Sequence, residues 1–583
     1  MHQERLHREA LQISRAHPLP LSFEAWQTQA AHLREVLHQK LHIPASPLCN
    51  LDFQIHGEIF HMDYKIQRVS YASAPRIRVT ASLYIPAGKG PFPAVIAMHG
   101  HSSDGKVAPY QQNVAHLLVR SGFVVLLVDA AGSGERGEKE RVWEYHGAAK
   151  AGQIWLSGDT LLGLQVRDNM RGVDALAALP FVDSQKIGAT GASGGGNQTM
   201  WLSALDARIQ AAVPVVSVGS FEAYVTRRNC MCETLPGGLL LTEEWGLMGL
   251  TAPRPMLVLT ALHDQPAFGY EAVTYTSRQV QEIYQMHQAY EKFDVRILDM
   301  HHGYKPQAQH AMLGWMKMWL QNAPPSAPAA LPTWSTLPAE ALICYPKGER
   351  PSSVDYKENR RTLAAEAKKK NGDREALAEC VGWKFQNKNA SFEIRETRDE
   401  GSQIGAIYSP RQIPLPVFTT RSWKGASDIQ LILSPFGKKD ASVEHRLTKA
   451  REEGKVGVSV DLPAVGELAW EDGEVDGTRF HDASRACIWL GYTLAGEWAE
   501  SVLTVCRTLL HDAPHAKLEI VAERETAFAA LIALALHPDQ RISLTEVDVP
   551  ESLAQKEDES LVWFVPGFLQ WGDLDTLRKM GKP

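Results

Sequence analysis

Two uninterrupted apolar runs, PAVIAMHG at 93–100 and FVVLLVDAAGSG at 123–134, bracket the helix-like stretch QQNVAHLLVRSG at 111–122. A strand with one wet face alternates apolar and polar residues. A run with no alternation that ends in glycine is a strand buried on both faces, and buried strands separated by helices form parallel βαβ units. The pattern continues with the amphipathic helix LLGLQVRDNMRGVDALAAL, the strand KIGATGAS, the helix GGNQTMWLSAL, the strands IQAAVPVVS and PMLVLTAL, the helix QVQEIYQMHQAYEK and the strand DVRILDM, and AQHAMLGWMKMWLQ closes the series. Ahead of it, residues 1–45 read as helical. FQIHGEIFHMDYKIQRVSY and PRIRVTASLYIP alternate as half-buried strands do. The expected class is α/β: a doubly wound sheet with an antiparallel N-terminal extension, filling residues 1–321.

Residues 322–338, NAPPSAPAALPTWSTLP, carry five prolines. Proline fixes φ and lacks a backbone donor, so this stretch reads as a linker. Residues 339–583 then read as a second α/β domain, opening on the Lys-rich helix RRTLAAEAKKK and running through DIQLILSP, KVGVSVDLPAVGE, KLEIVAE and SLVWFVPG as strands. This domain looks like a weakened repeat of the first. Asp461 to Glu467 echoes Asp129 to Glu135 as D-x-x-x-x-G-E.

Composition excludes several classes. Of the 583 residues, 44% are apolar and 22% charged, and net charge is −7, which does not fit a disordered chain or a nucleic-acid binder. No apolar run reaches membrane-spanning length, and the first residues lack the apolar segment of a secretory signal. The expectation is therefore a cytoplasmic protein, with export behind a removed signal left open, and with neither nucleic acid nor membrane as partner. Seven cysteines are too sparse for a disulfide framework. The close pair Cys230-Met231-Cys232 has no second Cys/His pair at finger spacing, so no structural zinc is expected.

The chemistry concentrates at Gly191-Ala192-Ser193-Gly194-Gly195, a G-x-S-x-G motif between an apolar strand and a helix that begins with small residues. This is the setting of a nucleophile elbow, where a tight turn thrusts the serine hydroxyl out of the sheet. Acid and base then follow in the order Ser, Asp, His. Asp264 stands at the end of PMLVLTAL, and His301-His302 at the end of VRILDM. His302 is the preferred base because Gly303 lets its loop bend back, with His301 the rival. The oxyanion needs two N–H donors. Gly194, next after the nucleophile, supplies one, and His101 in the His99-Gly100-His101-Ser102 loop the other, with Ser102 the alternative. His99 itself reads as loop packing. Arg167, Asp168, Arg171 and Asp174 share one helix face and read as an ion-pair network. Trp155 and Trp201 read as packing.

The series PFPAVIAMHGHSSDGK, VDAAGSGER, GASGGGNQTMW, CMCETLPG, LHDQPAF and HHGY resembles the bacterial acetyl-xylan-esterase-like branch of the α/β-hydrolase superfamily, related to the dienelactone-hydrolase-like proteins, over roughly residues 50–320. The resemblance implies metal-free and cofactor-free hydrolysis of a carboxylic ester, on a small-molecule or carbohydrate substrate, through Ser193, Asp264 and His302. It also places the CMCE segment in the pocket wall, making Glu233 a candidate substrate contact. The second domain has Ala522-Glu523-Arg524-Glu525-Thr526 where an elbow should stand, which reads as a degenerate, non-catalytic hydrolase-like domain with a structural role or a role in a homo-oligomer. A peptidase or amidase on the same scaffold, or a non-catalytic tandem scaffold, are the competing readings.

Overall fold

A computed structural model describes residues 1–138, 149–227, 229–324, 335–346, 348–366, 372–384, 390–398, 401–409, 413–471, 473, 477–556 and 560–582. The chain forms two compact units. The first comprises Ile13–Ile154 and Asp159–Ala365, and the second Met1–Gln12, Trp155–Gly158 and Glu366–Pro583.

In the first unit nine strands form one sheet: β1 (Gln54–His61), β2 (Tyr64–Ala74), β3 (Ile77–Ile85), β4 (Phe92–Met98), β5 (Val124–Val128), β6 (Val182–Ala192), β7 (Ile209–Val215), β8 (Met256–His263) and β9 (Phe293–His301). Their order is β1-β2-β3-β5-β4-β6-β7-β8-β9. The first three are joined antiparallel to one another and to β5, and from β5 onward every pairing is parallel. The continuous apolar runs are the middle strands, and β5 is buried at every position. Helices on both faces complete the doubly wound arrangement, with Leu117, Leu118, Met312 and Trp315 among the side chains packed on the sheet. Trp155 and Trp201 are fully buried, as packing residues are.

The second sheet has seven strands: β10 (Ser391–Thr397), β11 (Gln403–Tyr408), β12 (Leu415–Thr419), β13 (Asp428–Leu433), β14 (Val456–Val460), β15 (Lys517–Glu523) and β16 (Ile542–Val547). Their order, β10-β11-β12-β14-β13-β15-β16, repeats that of the first seven strands of the other sheet, with the same switch from antiparallel to parallel pairing. Among the described residues it has no counterpart of β8 and β9. SLVWFVPG, expected as a strand, instead holds a short 3-10 turn at Leu561–Trp563. Its side chains are buried as a strand's would be, and an apolar run this short does not distinguish the two.

One ion cluster recurs in both units. In the first, Lys106 Nζ donates to Asp129 Oδ2 at 2.7 Å and also to Glu135, while the Lys106 N–H donates to Asp129 Oδ1 at 2.8 Å. In the second, Lys438 Nζ donates to Asp461 Oδ2 at 2.6 Å and to Glu467 Oε1 at 2.7 Å, and its N–H to Asp461 Oδ1 at 2.7 Å. Lysine and aspartate are 23 residues apart in each. Gly134 and Gly466 sit at φ +59° and +55°, and a Cβ at either would lie 2.3 Å from the aspartate Oδ1, so only glycine fits there.

The division of the chain departs from the proline-based boundary at 338. Residues 325–334 of the expected linker lie outside the described residues. Beyond them, Leu342 joins the first unit's core, Cys344 N donates to both oxygens of Glu135 at 2.8 and 2.9 Å, and Arg78 N donates to Ser353 O at 2.9 Å. Residues 335–365 thus belong with the first unit because they satisfy a buried carboxylate and a strand N–H there.

At the other end, the first residues belong with the second unit. Trp470 Nε1 donates to His2 Nδ1 at 2.9 Å, so His2 Nε2 carries the proton it shares with Glu497 at 3.1 Å, and Arg5 pairs with the same carboxylate. Burial works against ionising Glu497, but His2 and Arg5 outweigh it and hold the carboxyl down at about 2, against an ordinary value of 4.5. A depressed carboxyl adds stability that is present above its unfolded pKa and is lost as pH falls through its folded one. Glu497→Gln is therefore expected to remove a contribution on the order of 3 kcal/mol. Chemical unfolding followed across pH 6 to 2 checks this: wild type should lose the increment below about 4.5, and the variant should show a flatter slope.

Candidate active site

The sheet order sets the position of the site. The chain runs from β4 to β5 on one side and then crosses to β6 on the other, so β4 and β6 are neighbours at the point where the winding reverses. Loops leaving the carboxyl ends of two such strands diverge and open a crevice. The loop after β4 carries His99 to Ser102, and the residue after β6 is Ser193.

Ser193 has φ +58° and ψ −127°, a strained backbone conformation for a residue with a Cβ. The turn is held by Ser193 N donating to Val215 O and Asn197 N donating to Ser193 O, both at 2.9 Å. The flanking glycines are required by space. A Cβ on Gly191 would meet Gly195 O and Met98 O at 2.5 Å, and one on Gly195 would meet Met98 O at 2.2 Å. The helix Gly194–Leu205 starts immediately behind the serine, so its N-terminal N–H groups and positive dipole end face the crevice.

The acid and the imidazole meet because of strand register. β8 and β9 pair in parallel with His263 opposite His301, so the next residue on each strand leaves the sheet side by side. Those residues are Asp264 and His302, and His302 Nδ1 lies 2.6 Å from Asp264 Oδ1, which also accepts from Gln265 N at 2.7 Å. The Asp264 side chain is fully buried, and His302 is 25% exposed. With Nδ1–H given to the carboxylate, His302 Nε2 is left as an acceptor, which is the tautomer a general base needs. The His302 ring stacks on Phe268 at 6.1 Å, and Phe268 packs edge-on against Tyr224. His301, the rival base, is exposed and packs its ring against His263 instead.

Ser193 Oγ itself does not bond to His302. Its partner is His101, whose Nδ1 lies 3.4 Å away, while His101 Nε2 lies 3.2 Å from Cys232 Sγ. The His101 ring covers the elbow: a Cβ on Gly194 would stand 3.1 Å from it, and one on Gly100 would stand 2.6 Å from Ala192 O. The structure therefore brings Ser193, Gly194 and His101 together and separately joins His302 to Asp264.

Glu233, expected to face substrate, is buried with its carboxylate accepting from Cys230 N at 3.0 Å, which caps the short turn Met231–Glu233. Burial pushes the neighbouring Cys232 thiol well above its ordinary value, keeping it neutral. His99 has the packing role expected of it. Ala130 N donates to its Nε2 at 3.0 Å, so its Nδ1–H faces Gly100 O at 2.7 Å, tying the loop after β4 to the loop after β5. The charged helix face does form an ion network, with partners from elsewhere in the chain. Arg167 binds Asp159 at 2.5 Å, Arg136 binds Asp168 at 2.6 Å, and Asp174 takes Arg171 and also Arg208 at 2.5 Å.

A doubly wound sheet with a strained serine at the strand–turn–helix junction defines an α/β-hydrolase fold. Within it, residues 27–225 match the acetyl xylan esterase (AXE1) family model, in agreement with the resemblance read from the motifs. A Bacillus subtilis (strain 168) protein named "Putative hydrolase YtaP" is 27% identical over 201 residues, 32% of this chain and 65% of that protein. The chain thus spans just under two thirds of that relative's length. Among solved structures, methylesterase BT1017 is similar with a TM-score of 0.49 and 23% identity, covering 60% of this chain and 75% of that one. A glucuronoyl esterase from Solibacter usitatus is similar with a TM-score of 0.39 and 14% identity, covering 52% and 94%. Among the described residues no helix is long and apolar enough to cross a membrane.

Proposed function

We propose that the first unit is a serine carboxylic-ester hydrolase of the carbohydrate-esterase kind, with Ser193 as nucleophile, His302 as general base and acid, and Asp264 as the carboxylate that orients it. The observation that carries this reading is the strained φ of Ser193 at the crevice, together with the 2.6 Å His302–Asp264 bond at the adjoining strand ends. Backbone strain costs stability wherever it occurs, and it gathers at sites where the strained side chain has a use.

In the proposed cycle Ser193 Oγ exchanges its contact with His101 for one with His302 Nε2, loses its proton there and attacks the ester carbonyl. The tetrahedral oxyanion is held by the N–H groups of Gly194 and His101, preorganised donors that need no rearrangement as charge develops. His302 returns the proton to the leaving alcohol, and water then releases the acyl group by the same route. The carbohydrate preference comes from the family match rather than from a pocket contact.

Ser193→Ala should lower kcat on p-nitrophenyl acetate by about 10⁴- to 10⁶-fold and abolish labelling by a fluorophosphonate probe. Turnover within a few-fold of wild type would refute Ser193 as the nucleophile.

A further inference from the structure

Beside Ser193 lies a group of side chains that the proposed ester chemistry does not use. His101 Nδ1 faces the serine, and the ring's other nitrogen points away from it, 3.2 Å from Cys232 Sγ. Donor atoms of His101, Cys230 and Glu233 all lie within 4.8 Å of one another. The latter two come from one short turn, in which the Glu233 carboxylate accepts from Cys230 N at 3.0 Å and is thereby held near the Cys230 side chain. The cysteine spacing gave no hint of this, because the third donor arrives from a different strand end.

We propose that His101, Cys230 and Glu233, with the Cys232 thiol beside them, form a binding site for a divalent cation of zinc type whose occupancy holds Ser193 inactive. Imidazole nitrogen, thiolate sulfur and carboxylate oxygen are the donors zinc takes, at about 2.0–2.3 Å. Tetrahedral geometry with such bonds separates donor atoms by roughly 3.3–3.8 Å, so the group needs to draw in by about an ångström. Binding deprotonates the Cys230 thiol, and that proton leaves to solvent. With the cation on His101 Nε2, the ring proton is fixed on Nδ1, which donates to Ser193 Oγ and pins the imidazole over the hydroxyl. The serine lone pair is then engaged where attack needs it, which is the inhibitory step and the one part that rests on Ser193 being the nucleophile.

Among the described residues a second group brings its donor atoms equally close. His2, Cys487 and Glu497 are all buried, but the Arg5 guanidinium already sits on Glu497 and Trp470 Nε1 already occupies His2 Nδ1. Arg5 thus already pairs with that cluster's carboxylate, and Glu497→Gln serves as the control variant.

The test uses the full chain, stripped with a chelator and titrated with Co²⁺. One equivalent should produce the intense visible bands of a tetrahedral site and a thiolate-to-cobalt charge-transfer band, both displaced by Zn²⁺. Cys230→Ser should remove the charge-transfer band and weaken Co²⁺ binding by at least the roughly 10–100-fold that loss of an outer-shell partner costs, while Glu497→Gln should leave both unchanged. A spectrum unaltered by Cys230→Ser, or one that stays octahedral in wild type, overturns the site. For inhibition, the rate on p-nitrophenyl acetate with Zn²⁺ is divided by the rate without it for each protein. The ratio should fall about tenfold or more in wild type, recover with chelator and stay near one in Cys230→Ser. A wild-type ratio near one with the cobalt bands present overturns the inhibitory role. A wild type inert toward every ester refutes the esterase reading, and the cobalt spectrum still decides the site.

Discussion

Asp264→Asn is expected to lower kcat on p-nitrophenyl acetate about 10⁴-fold with little change in KM, the loss that follows when the buried acid of a Ser-His-Asp set no longer fixes the tautomer. The structure gives this variant a specific reason to fail. The His302 Nδ1–H is committed to Asp264 Oδ1, and the Asp264 side chain is buried, so no water can take over the acceptor's place. An amide there can turn its NH₂ toward the ring, which moves the imidazole proton to Nε2 and leaves Ser193 without a base in the proposed cycle. A charge favouring the imidazolium formed during attack is lost as well. Residual turnover within about tenfold of wild type would remove Asp264 from the mechanism.

The second large effect is on stability. Lys106→Met should cost the first unit about 3–5 kcal/mol, because it leaves Asp129 and Glu135, 1% and 4% exposed, without their counter-charge. Burial alone would push Asp129 up, but Lys106 outweighs it and holds the carboxyl below its ordinary range. The equivalent change in the second unit, Lys438→Met, should cost less. There Glu467 is 44% exposed and can be solvated, so only Asp461 is stranded. Urea unfolding of the two variants checks the order, and equal losses would mean that solvent exposure of the glutamate does not set the cost.

Most of the candidate site was legible in sequence because its determinants are local. The glycines around Ser193 are dictated by contacts within a few residues of the turn, and Asp264 and His302 each stand at the end of an apolar run whose direction the pattern reveals. Side-chain pairings between distant segments were not legible. Nothing in the His99–Ser102 loop indicates that the His101 ring would lie between Ser193 and Cys232, or that Glu233 would turn inward to cap its own turn. The buried Lys106 was hidden for the same reason. A lysine in a loop reads as solvated until the fold brings Asp129 and Glu135 around it, although Gly105-Lys106 and Gly437-Lys438, each 23 residues before its aspartate, held the clue. The unit boundary was misplaced because prolines mark where a chain cannot be regular, whereas membership is decided by where residues such as Cys344 find partners.

The shortened second sheet has an evolutionary corollary. Arg524 occupies the turn after β15 at φ +50°, as Ser193 does after β6, so Arg524→Ser would rebuild a hydroxyl on a bent backbone. The described strands end at β16, one step beyond that turn, and offer no neighbouring pair of strand ends from which a carboxylate and an imidazole could approach it. Among the described residues, topology therefore denies a serine at 524 the two partners it would need, and a single substitution there cannot assemble a Ser-His-Asp set.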